Sequence, residues 1–363
     1  MPDRAMLVLE DGSYYEGYRF GAEAVGHGEV VFNTGMTGYQ EELTDPSYAG
    51  QIVVLTYPLI GNYGVNEEDF ESKRIQVAGF VVREECRQPS HWQSIQTLHE
   101  FLLKYGVPGI SGVDTRAITR RLRSAGVMMG LITSGESPSE ALARLKALPK
   151  YEDVDLVKGV IAEAPYEWDA GSCGEAYHVV VLDCGLKYNI LRNLRKMACR
   201  VTVVPCTMPA GEVLALEPDG VLISPGPGDP AHLQYVERTV QILVERKPVM
   251  GICMGHQLIG RAFGGRTYKL KFGHHGSNHP VRDLRSSRVS ITSQNHGYTV
   301  DPDSLGGGLE VSHINLNDQT VEGFRHRELP LFCTQYHSEA SPGPHDSVYL
   351  FKEFIELMGR ERG

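Results

Sequence analysis

The residues with the clearest chemical potential lie in segment 251–257, Gly-Ile-Cys-Met-Gly-His-Gln. An apolar run precedes it and a helical pattern follows, which predicts Cys253 in the thiol form of a nucleophile elbow. The two glycines permit a strained strand-to-helix turn. The helix N-terminus then favours a thiolate, and the amide of Met254 faces any oxyanion formed beside the sulfur. A buried structural cysteine fits the motif about as well, but His256 and Gln257 favour the nucleophile because they are expected to place polar groups above it.

A cysteine nucleophile needs a base, and the base needs a residue that orients it. His337 ends an apolar strand candidate, and Glu339 follows two residues later, on the same side of an extended chain. Glu339 can therefore hydrogen-bond the far nitrogen of His337 and fix its tautomer. The chain has 14 histidines, and surface His-x-Glu pairs are common, so the pair gains weight only beside the elbow. His345 is a rival base, which we interpret as structural because prolines and a glycine precede it.

Two further groups are candidates for ligand binding. His274, His275 and His279 could indicate a metal, but they lie in a predicted glycine-rich loop without a carboxylate or cysteine at ligand spacing, so no metal site is predicted. Gly226 and Gly228 alternate in a loop whose amides can approach an oxyanion or a substrate. A phosphate loop is the competing interpretation, but neither common nucleotide-binding glycine motif occurs in the sequence, so none is predicted in this chain.

The elements that would position these residues alternate between strand and helix in the second half of the chain. This alternation predicts a mostly parallel sheet with helices on both faces, extended by antiparallel strands near 288–292 and 309–313. Sites in such sheets gather at the carboxyl ends of strands, where Cys253, His337 and both loop glycines are expected. The first half is β-rich and then mixed, with a helix predicted over 91–105 and another that begins after Asp114.

The predicted fold class is α/β, in which a smaller β-rich α+β domain precedes the parallel-sheet domain. The aperiodic stretch around 163–172 marks a linker between the domains. The predicted domains are therefore residues 1–150 and 176–363, with residues 151–175 as the linker.

Composition restricts the class of protein. The 363 residues carry a net charge of −10, which argues against nucleic acid or an anionic membrane as a partner. Seven cysteines without a Cys-x-x-Cys pair argue against a disulfide framework and for a reducing cytoplasm. No apolar stretch approaches the ~20 residues of a membrane span, and the N-terminal apolar run is too short for a signal peptide. We therefore expect a cytoplasmic protein.

The elbow, the glycine loop and the His-x-Glu pair together resemble the class I (triad) glutamine amidotransferases over residues 176–363. Other segments, distributed over both halves of the chain, resemble the small-subunit family of carbamoyl-phosphate synthetases. These segments are 32–41, 55–62, 112–116, 183–192 and 271–280. The resemblance therefore extends along the whole chain.

This resemblance implies glutamine hydrolysis by a Cys-His-Glu triad. Cys253 would attack the side-chain amide, and His337 would protonate the departing ammonia and then activate water against a γ-glutamyl thioester, with Glu339 as its orienter. Amides of Met254 and Gly228 would stabilise the oxyanion. The residues implied to contact glutamine are Gly35, Gly226, Gly228, Met254, Gln257, Asn295, Gly297 and Tyr298.

Two of these positions depart from the family pattern. Gly35 stands where serine is frequent, so only a backbone contact is expected there. Tyr298 stands where phenylalanine is frequent, and we expect a mild effect because the contact is expected through the main chain.

The resemblance also implies a division of labour between two chains. A larger synthetase subunit would bind ATP and magnesium and make carbamoyl phosphate from bicarbonate for pyrimidine or arginine biosynthesis, in a heterodimer or a higher oligomer. This chain would need no cofactor. The alternatives are a catalytically silent binding module, a thiol hydrolase, and an amidotransferase that serves a different synthase. The intact triad argues against the first, and segment 32–41 argues against the other two.

Overall fold

In a computed structural model, the protein is described over residues 3–169 and 176–362. The chain divides into two compact units, Met1–Leu156 with Lys271–Gly276 and Val157–Leu270 with Ser277–Gly363. The first unit thus includes residues 271–276, which the sequence analysis assigns to the second domain. The division falls within the predicted linker, whose residues 170–175 lie outside the described ranges.

The first unit is built on a closed seven-stranded barrel. The strands of the first unit, seven of which form the barrel, are β1 (Arg4–Leu9), β2 (Tyr14–Gly21), β3 (Gly26–Asn33), β4 (Gln51–Leu55), β5 (Leu59–Ile60), β6 (Gly79–Val81), β7 (Glu84–Glu85), β8 (Pro108–Ser111) and β9 (Met128–Thr133). The barrel order is β1-β2-β8-β6-β4-β3-β9, and β5 pairs separately with β7. Alternation along β1 buries both faces, because Leu7 and Leu9 face one apolar cluster while Met6 and Val8 face another.

Four helices pack on this barrel. They are α1 (Tyr39–Thr44), α2 (Leu98–Lys104), α3 (Thr115–Ala125) and α4 (Pro138–Ala147). The predicted start of α3 is confirmed, because the Asp114 carboxylate accepts a hydrogen bond from the Ala117 amide at 2.9 Å. Ser137 caps α4 in the same way and forms a capping box with Glu140.

The helix predicted over 91–105 is wrong in its first half. Thr97 and Glu100 form a capping box, so α2 begins only at Leu98. The residues before α2 are extended and pair with Val65 instead. The Ile95 amide donates to the Val65 carbonyl at 2.9 Å, and the Val65 amide donates to the Gln96 carbonyl. Backbone pairing with a distant segment has overridden the local apolar spacing.

The second unit contains a ten-stranded sheet. Its strands are β10 (Tyr166–Glu167), β11 (Tyr177–Asp183), β12 (Cys199–Pro205), β13 (Gly220–Ile223), β14 (Val249–Ile252), β15 (Thr267–Asp283), β16 (Val289–Val300), β17 (Leu309–Asn315), β18 (Val321–His326) and β19 (Leu331–Thr334). The order is β10-β12-β11-β13-β14-β19-β18-β17-β15-β16. In this order, β12, β11, β13, β14 and β19 pair in parallel. β18 and β17 then extend the sheet in antiparallel fashion, which confirms the antiparallel strand predicted near 309–313; the sequence analysis did not predict β18.

Helices cover both faces of the parallel strands, which confirms the predicted α/β layering. They are α5 (Tyr188–Lys196), α6 (Ala210–Ala215), α7 (Gln234–Val244), α8 (Met254–Ala262) and α9 (Tyr349–Arg362). Apolar side chains of α6, α7 and α8 pack in one cluster against one face, and those of α5 and α9 pack in a second cluster against the other. Within the described ranges, no helix has the length and apolar character needed to span a bilayer.

Candidate active site

Cys253 occupies the turn between β14 and α8, as the sequence predicts. Its backbone has φ 53° and ψ −104°, a region that residues other than glycine rarely adopt and that costs ~1–3 kcal/mol. The Cys253 amide donates to the Thr334 carbonyl of β19 at 2.8 Å, and the Cys253 carbonyl accepts the amide of Gln257 at 3.1 Å. These bonds tie the strained residue to the neighbouring strand and to the first turn of the helix.

The two glycines of the elbow act through close packing, whereas the positive φ falls on Cys253 itself. A β-carbon on Gly255 would lie 2.3 Å from the Ile223 carbonyl oxygen of β13. On Gly251 it would lie 2.5 Å from the Ile259 side chain. Glycine at both positions therefore lets α8 approach the sheet closely enough to hold the turn.

The His337–Glu339 pair forms as predicted. The Glu339 carboxylate Oε1 lies 2.7 Å from His337 Nδ1, and both side chains are buried. Nδ1 must carry a proton to donate to the carboxylate, so the opposite nitrogen, Nε2, is left for chemistry. The His337 amide also donates to the Ser293 carbonyl of β16 at 2.9 Å, which fixes the backbone of the pair.

A buried lysine completes this pair, and no local sequence pattern predicts it. Lys187 Nζ lies 3.1 Å from Glu339 Oε1 and donates to the Ala340 carbonyl at 2.7 Å, with only 1% of its side chain exposed. Asn189 donates to the Glu339 carbonyl. The Glu339 carboxylate therefore faces two cationic partners at the carboxyl end of β11, and a pattern search cannot find Lys187 because 152 positions separate it from Glu339.

The charges of this group are set by their mutual proximity. Burial alone would lower the pKa of His337, but the Glu339 carboxylate and the Cys253 side chain outweigh it and raise that pKa to about 10. Burial likewise opposes ionisation of Glu339, but Lys187 and His337 hold the pKa of that carboxyl below its usual range. At neutral pH the site thus contains an imidazolium and a carboxylate.

The sulfur of Cys253 lies in a polar, buried environment. It is 3.7 Å from the Asn295 carbonyl oxygen and 3.7 Å from Gln335 Nε2. The thiol is also close enough to His337 to influence the pKa of the ring. Within the described residues, however, His337 Nε2 has no hydrogen-bond partner of ordinary geometry, so the thiol and the ring are neighbours without an aligned bond. Such contacts in enzymes without ligand often tighten when substrate binds.

Several residues implied to bind glutamine lie near this sulfur. Asn295, Gly297 and Tyr298 belong to β16, and Gln257 Nε2 donates to the Tyr298 carbonyl at 2.8 Å. Gln257 lies in the first turn of α8, and both its side chain and the Cys253 sulfur contact the side chain of Gln335. A β-carbon on Gly297 would meet open space, which leaves its backbone accessible to a ligand.

The remaining predicted residues of the second unit flank the nucleophile. Gly226 and Gly228 follow β13, which neighbours β14, so they lie at the same sheet edge as Cys253. A β-carbon on Gly226 would lie 2.2 Å from the Cys184 carbonyl oxygen, and Gly228 has φ 89°. Met254 begins α8, so its amide is one of the donors that a helix leaves without an intrahelical partner.

Gly35 belongs to the first unit, just after β3. Its amide donates to the Asn33 side chain at 2.6 Å. A β-carbon there would lie 3.0 Å from Asn33 Oδ1 and 3.1 Å from Glu42 Oε1, so a serine would require small shifts of both. The local packing therefore suits the glycine that replaces the serine frequent in the family.

Other histidines are placed differently from their predicted positions. His256 does not face the sulfur: it is fully buried, its Nδ1 lies 3.2 Å from Cys333 Sγ, and it stacks on Phe324. Its position on α8 turns it toward the sheet, which corrects the expectation that it supplies a polar group above the nucleophile. His274, His275 and His279 lie in β15 and not in a loop, and His345 is exposed.

Comparisons with known proteins match this chain to two family models and to relatives along its full length. The family model for the carbamoyl-phosphate synthase small chain, CPSase domain, matches residues 7–132, and the model for class I glutamine amidotransferases matches residues 180–357. The chloroplastic carbamoyl phosphate synthase small chain of Oryza sativa subsp. japonica is 52% identical over 99% of this chain and 83% of the relative. The carbamoyl phosphate synthase small chain of Solidesulfovibrio magneticus is 50% identical over 99% of this chain and 100% of the relative. A solved glutamine amidotransferase from Thermotoga maritima has 17% identity and a TM-score of 0.38 over 52% of this chain and 86% of its own.

Proposed function

The chain belongs to the family of carbamoyl-phosphate synthase small chains, and from that premise we propose that it hydrolyses L-glutamine to glutamate and ammonia. The observation that carries the proposal is the position of Cys253, at a strained strand-to-helix turn beside the buried pair His337 and Glu339. A nucleophile, a proton-transfer group and its orienter are thus contributed by adjacent strand ends, the arrangement that acyl transfer through a thiol requires.

The first half of the reaction is attack on the side-chain amide of glutamine. The Cys253 thiolate adds to the carbonyl carbon, and the oxyanion accepts hydrogen bonds from the amides of Met254 and Gly228. The imidazolium of His337 then gives its proton to the departing nitrogen. Its pKa, raised to about 10 by Glu339 and Cys253, supports this role as an acid in the resting site.

The second half is hydrolysis of the γ-glutamyl thioester. After the ammonia leaves, His337 is neutral and can take a proton from water at Nε2, because Nδ1 remains bonded to Glu339. The activated water releases glutamate and restores the thiolate–imidazolium pair. Glu339 acts by holding the ring and by favouring its charged form, and Lys187 keeps that carboxylate ionised.

Glutamine is held beside the sulfur by the residues that the family pattern indicates. In the second unit these are Gly226, Gly228, Met254, Gln257, Asn295, Gly297 and Tyr298. The family pattern also indicates Gly35, through its backbone only. Support comes from Gln257 and Asn295, which already contact Tyr298 and the Cys253 sulfur, respectively.

The ammonia goes to a larger partner chain. That chain binds ATP and magnesium and makes carbamoyl phosphate from bicarbonate, in a heterodimer or a higher assembly that serves pyrimidine or arginine biosynthesis in the cytoplasm. The relatives' shared name, small chain of a carbamoyl phosphate synthase, supports the partner. Ammonia near pH 7 is mostly ammonium, which is no nucleophile, so delivery through a closed passage is favoured over release to solvent.

The direct test is glutamate release by the purified chain, with and without the large chain. Wild type should hydrolyse glutamine, slowly alone and faster in the complex, and Cys253→Ala should not hydrolyse it although it folds. A glutamine-like chloroketone should add its mass to Cys253. Substantial hydrolysis by Cys253→Ala, or a folded wild type that is inactive in the complex, would contradict the proposal.

A further inference from the structure

Gln335 is the first residue after β19, and it lies beside the nucleophile. β19 pairs in parallel with β14, where Ile252 faces Thr334. The Cys253 amide donates to the Thr334 carbonyl at 2.8 Å, and the Gln335 amide donates to the Glu322 carbonyl of β18 at 2.9 Å. The backbone of Gln335 is therefore fixed between two strands, next to the elbow.

The orientation of the Gln335 side chain follows from its partners. Gln257 Nε2 donates both to the Tyr298 carbonyl at 2.8 Å and to Gln335 Oε1 at 3.1 Å. An amide nitrogen can only donate, so the oxygen of Gln335 must face Gln257. The nitrogen of Gln335 is then directed at the Cys253 sulfur, 3.7 Å away, in a side chain that is fully buried.

The two polar contacts of the sulfur respond in opposite ways to ionisation. The Asn295 carbonyl, 3.7 Å away, can only accept, so it favours the thiol and disfavours the thiolate. The Gln335 amide donates, and hydrogen bonds to charged acceptors are stronger than those to neutral ones. His337, with Glu339 and Lys187 behind it, is a charged neighbour of the sulfur, and Gln335 is a neutral donor that adds to the effect of the imidazolium.

We propose that Gln335 is a positioning residue that stabilises the thiolate of Cys253 and links it to Gln257. The inference rests on the proposed function, in which Gln257 binds glutamine and Cys253 attacks it. Because one amide group bridges the two residues, the orientation of Gln257 also determines the orientation of the donor at the sulfur. Binding of glutamine at Gln257 and stabilisation of the Cys253 thiolate are thereby coupled through the side chain of Gln335.

The test is the pH profile of Cys253 alkylation by iodoacetamide in the full chain, followed by the mass of the Cys253 peptide. Gln335→Met keeps the size of the side chain and removes the donor. The midpoint of its profile should move to higher pH by roughly one unit, the effect expected for one hydrogen bond to a charged group. kcat for glutamine hydrolysis should fall on the order of 10-fold, and KM should rise because Gln257 loses one of its two hydrogen-bond acceptors.

Gln335→Glu is the second variant, because it preserves shape and places a carboxylate beside the sulfur. Its midpoint should move further upward than that of Gln335→Met. Thr334→Val is the matched control: it removes the neighbouring hydroxyl, which bonds the Tyr336 carbonyl at 3.2 Å, and it should leave the midpoint unchanged. An unchanged midpoint in either folded Gln335 variant overturns the proposal, as does an equal shift in the control.

If both variants fail to fold, the proposal can be tested on the wild-type protein. In ¹⁵N-labelled wild type, the chemical shift of the Gln335 side-chain amide should change with pH, with the same midpoint as the alkylation of Cys253. In Cys253→Ala, this chemical shift should not change over the same pH range. A resonance that does not respond to pH in the wild type refutes the inference. The alkylation midpoint and the amide resonance do not depend on glutamine, so a wild type without glutaminase activity would count against the proposed function alone.

Discussion

Replacing Lys187 by methionine should destabilise the protein more than any surface substitution. The Lys187 ammonium lies 3.1 Å from Glu339 Oε1, and the two side chains are 1% and 0% exposed. Methionine fills similar space but leaves the carboxylate without one of its two cationic partners. The remaining partner is His337, at 2.7 Å.

The expected change in the free energy of unfolding follows from the cost of leaving a buried charge without one of its partners. Removing one partner of a buried ion pair typically costs ~3–5 kcal/mol. The His337 imidazolium still faces the same oxygen, so the low end of that range applies, and we expect a loss of about 3 kcal/mol in the free energy of unfolding. The lost bond to the Ala340 carbonyl is included in this figure, because the methionine removes both contacts at once.

The assay is urea unfolding of wild type, Lys187→Met and Lys196→Met at pH 7. Lys196 is an exposed residue of α5, so its substitution should change the unfolding free energy by less than about 0.5 kcal/mol. A Lys187→Met protein as stable as the Lys196→Met control would refute the view that the lysine holds Glu339 ionised in the buried site.

Two further predictions concern catalysis and acid stability. His337→Asn should reduce glutaminase activity by ~10²–10⁴-fold and Glu339→Ala by much less, because the histidine moves protons and the glutamate orients it; equal losses in kcat would show that the roles are misassigned. Burial lowers the pKa of His256 to about 3, below the usual value of 6.5. Because the unfolded chain then binds a proton that the folded protein does not, His256 should reduce the free energy of unfolding as pH falls from 6.5 toward 3. Above pH 6.5 it should have no such effect. In urea titrations between pH 7 and pH 5, His256→Gln should lose less free energy of unfolding than wild type, by up to about 2 kcal/mol. The exposed control His345→Gln should match wild type. An identical pH dependence of the unfolding free energy in all three proteins would contradict this prediction.

The sequence was sufficient to predict the strands that carry the chemistry. Buried parallel strands are short apolar runs, and Gly-x-Cys-x-Gly at the end of β14 and His-x-Glu after β19 mark their carboxyl ends. Since β14 and β19 are neighbours in the sheet, two motifs 84 positions apart meet at one edge. Local pattern and tertiary structure agree here because each strand is buried on both faces.

Long-range partners could not be predicted in this way. Lys187 and Gln335 have no local pattern, because their contacts with Glu339 and Gln257 are made only after the sheet has assembled. The predicted helix over 91–105 failed for a related reason, since residues 95 and 96 pair with Val65. The same limit applies to residues 271–276, which lie in a second-unit strand but pack within the first unit.

The role of Cys253 and the need for a partner are tested together with the Cys253→Ser small chain assembled with the large chain. The mixture is supplied with ATP, bicarbonate and either glutamine or an ammonium salt. Carbamoyl phosphate should form from the ammonium salt and not from glutamine, because the serine removes the thiol nucleophile and leaves the partner intact. Carbamoyl phosphate made from glutamine at the wild-type rate would contradict the role of Cys253, and an assembled complex that is inactive with both donors would contradict the proposed division of labour.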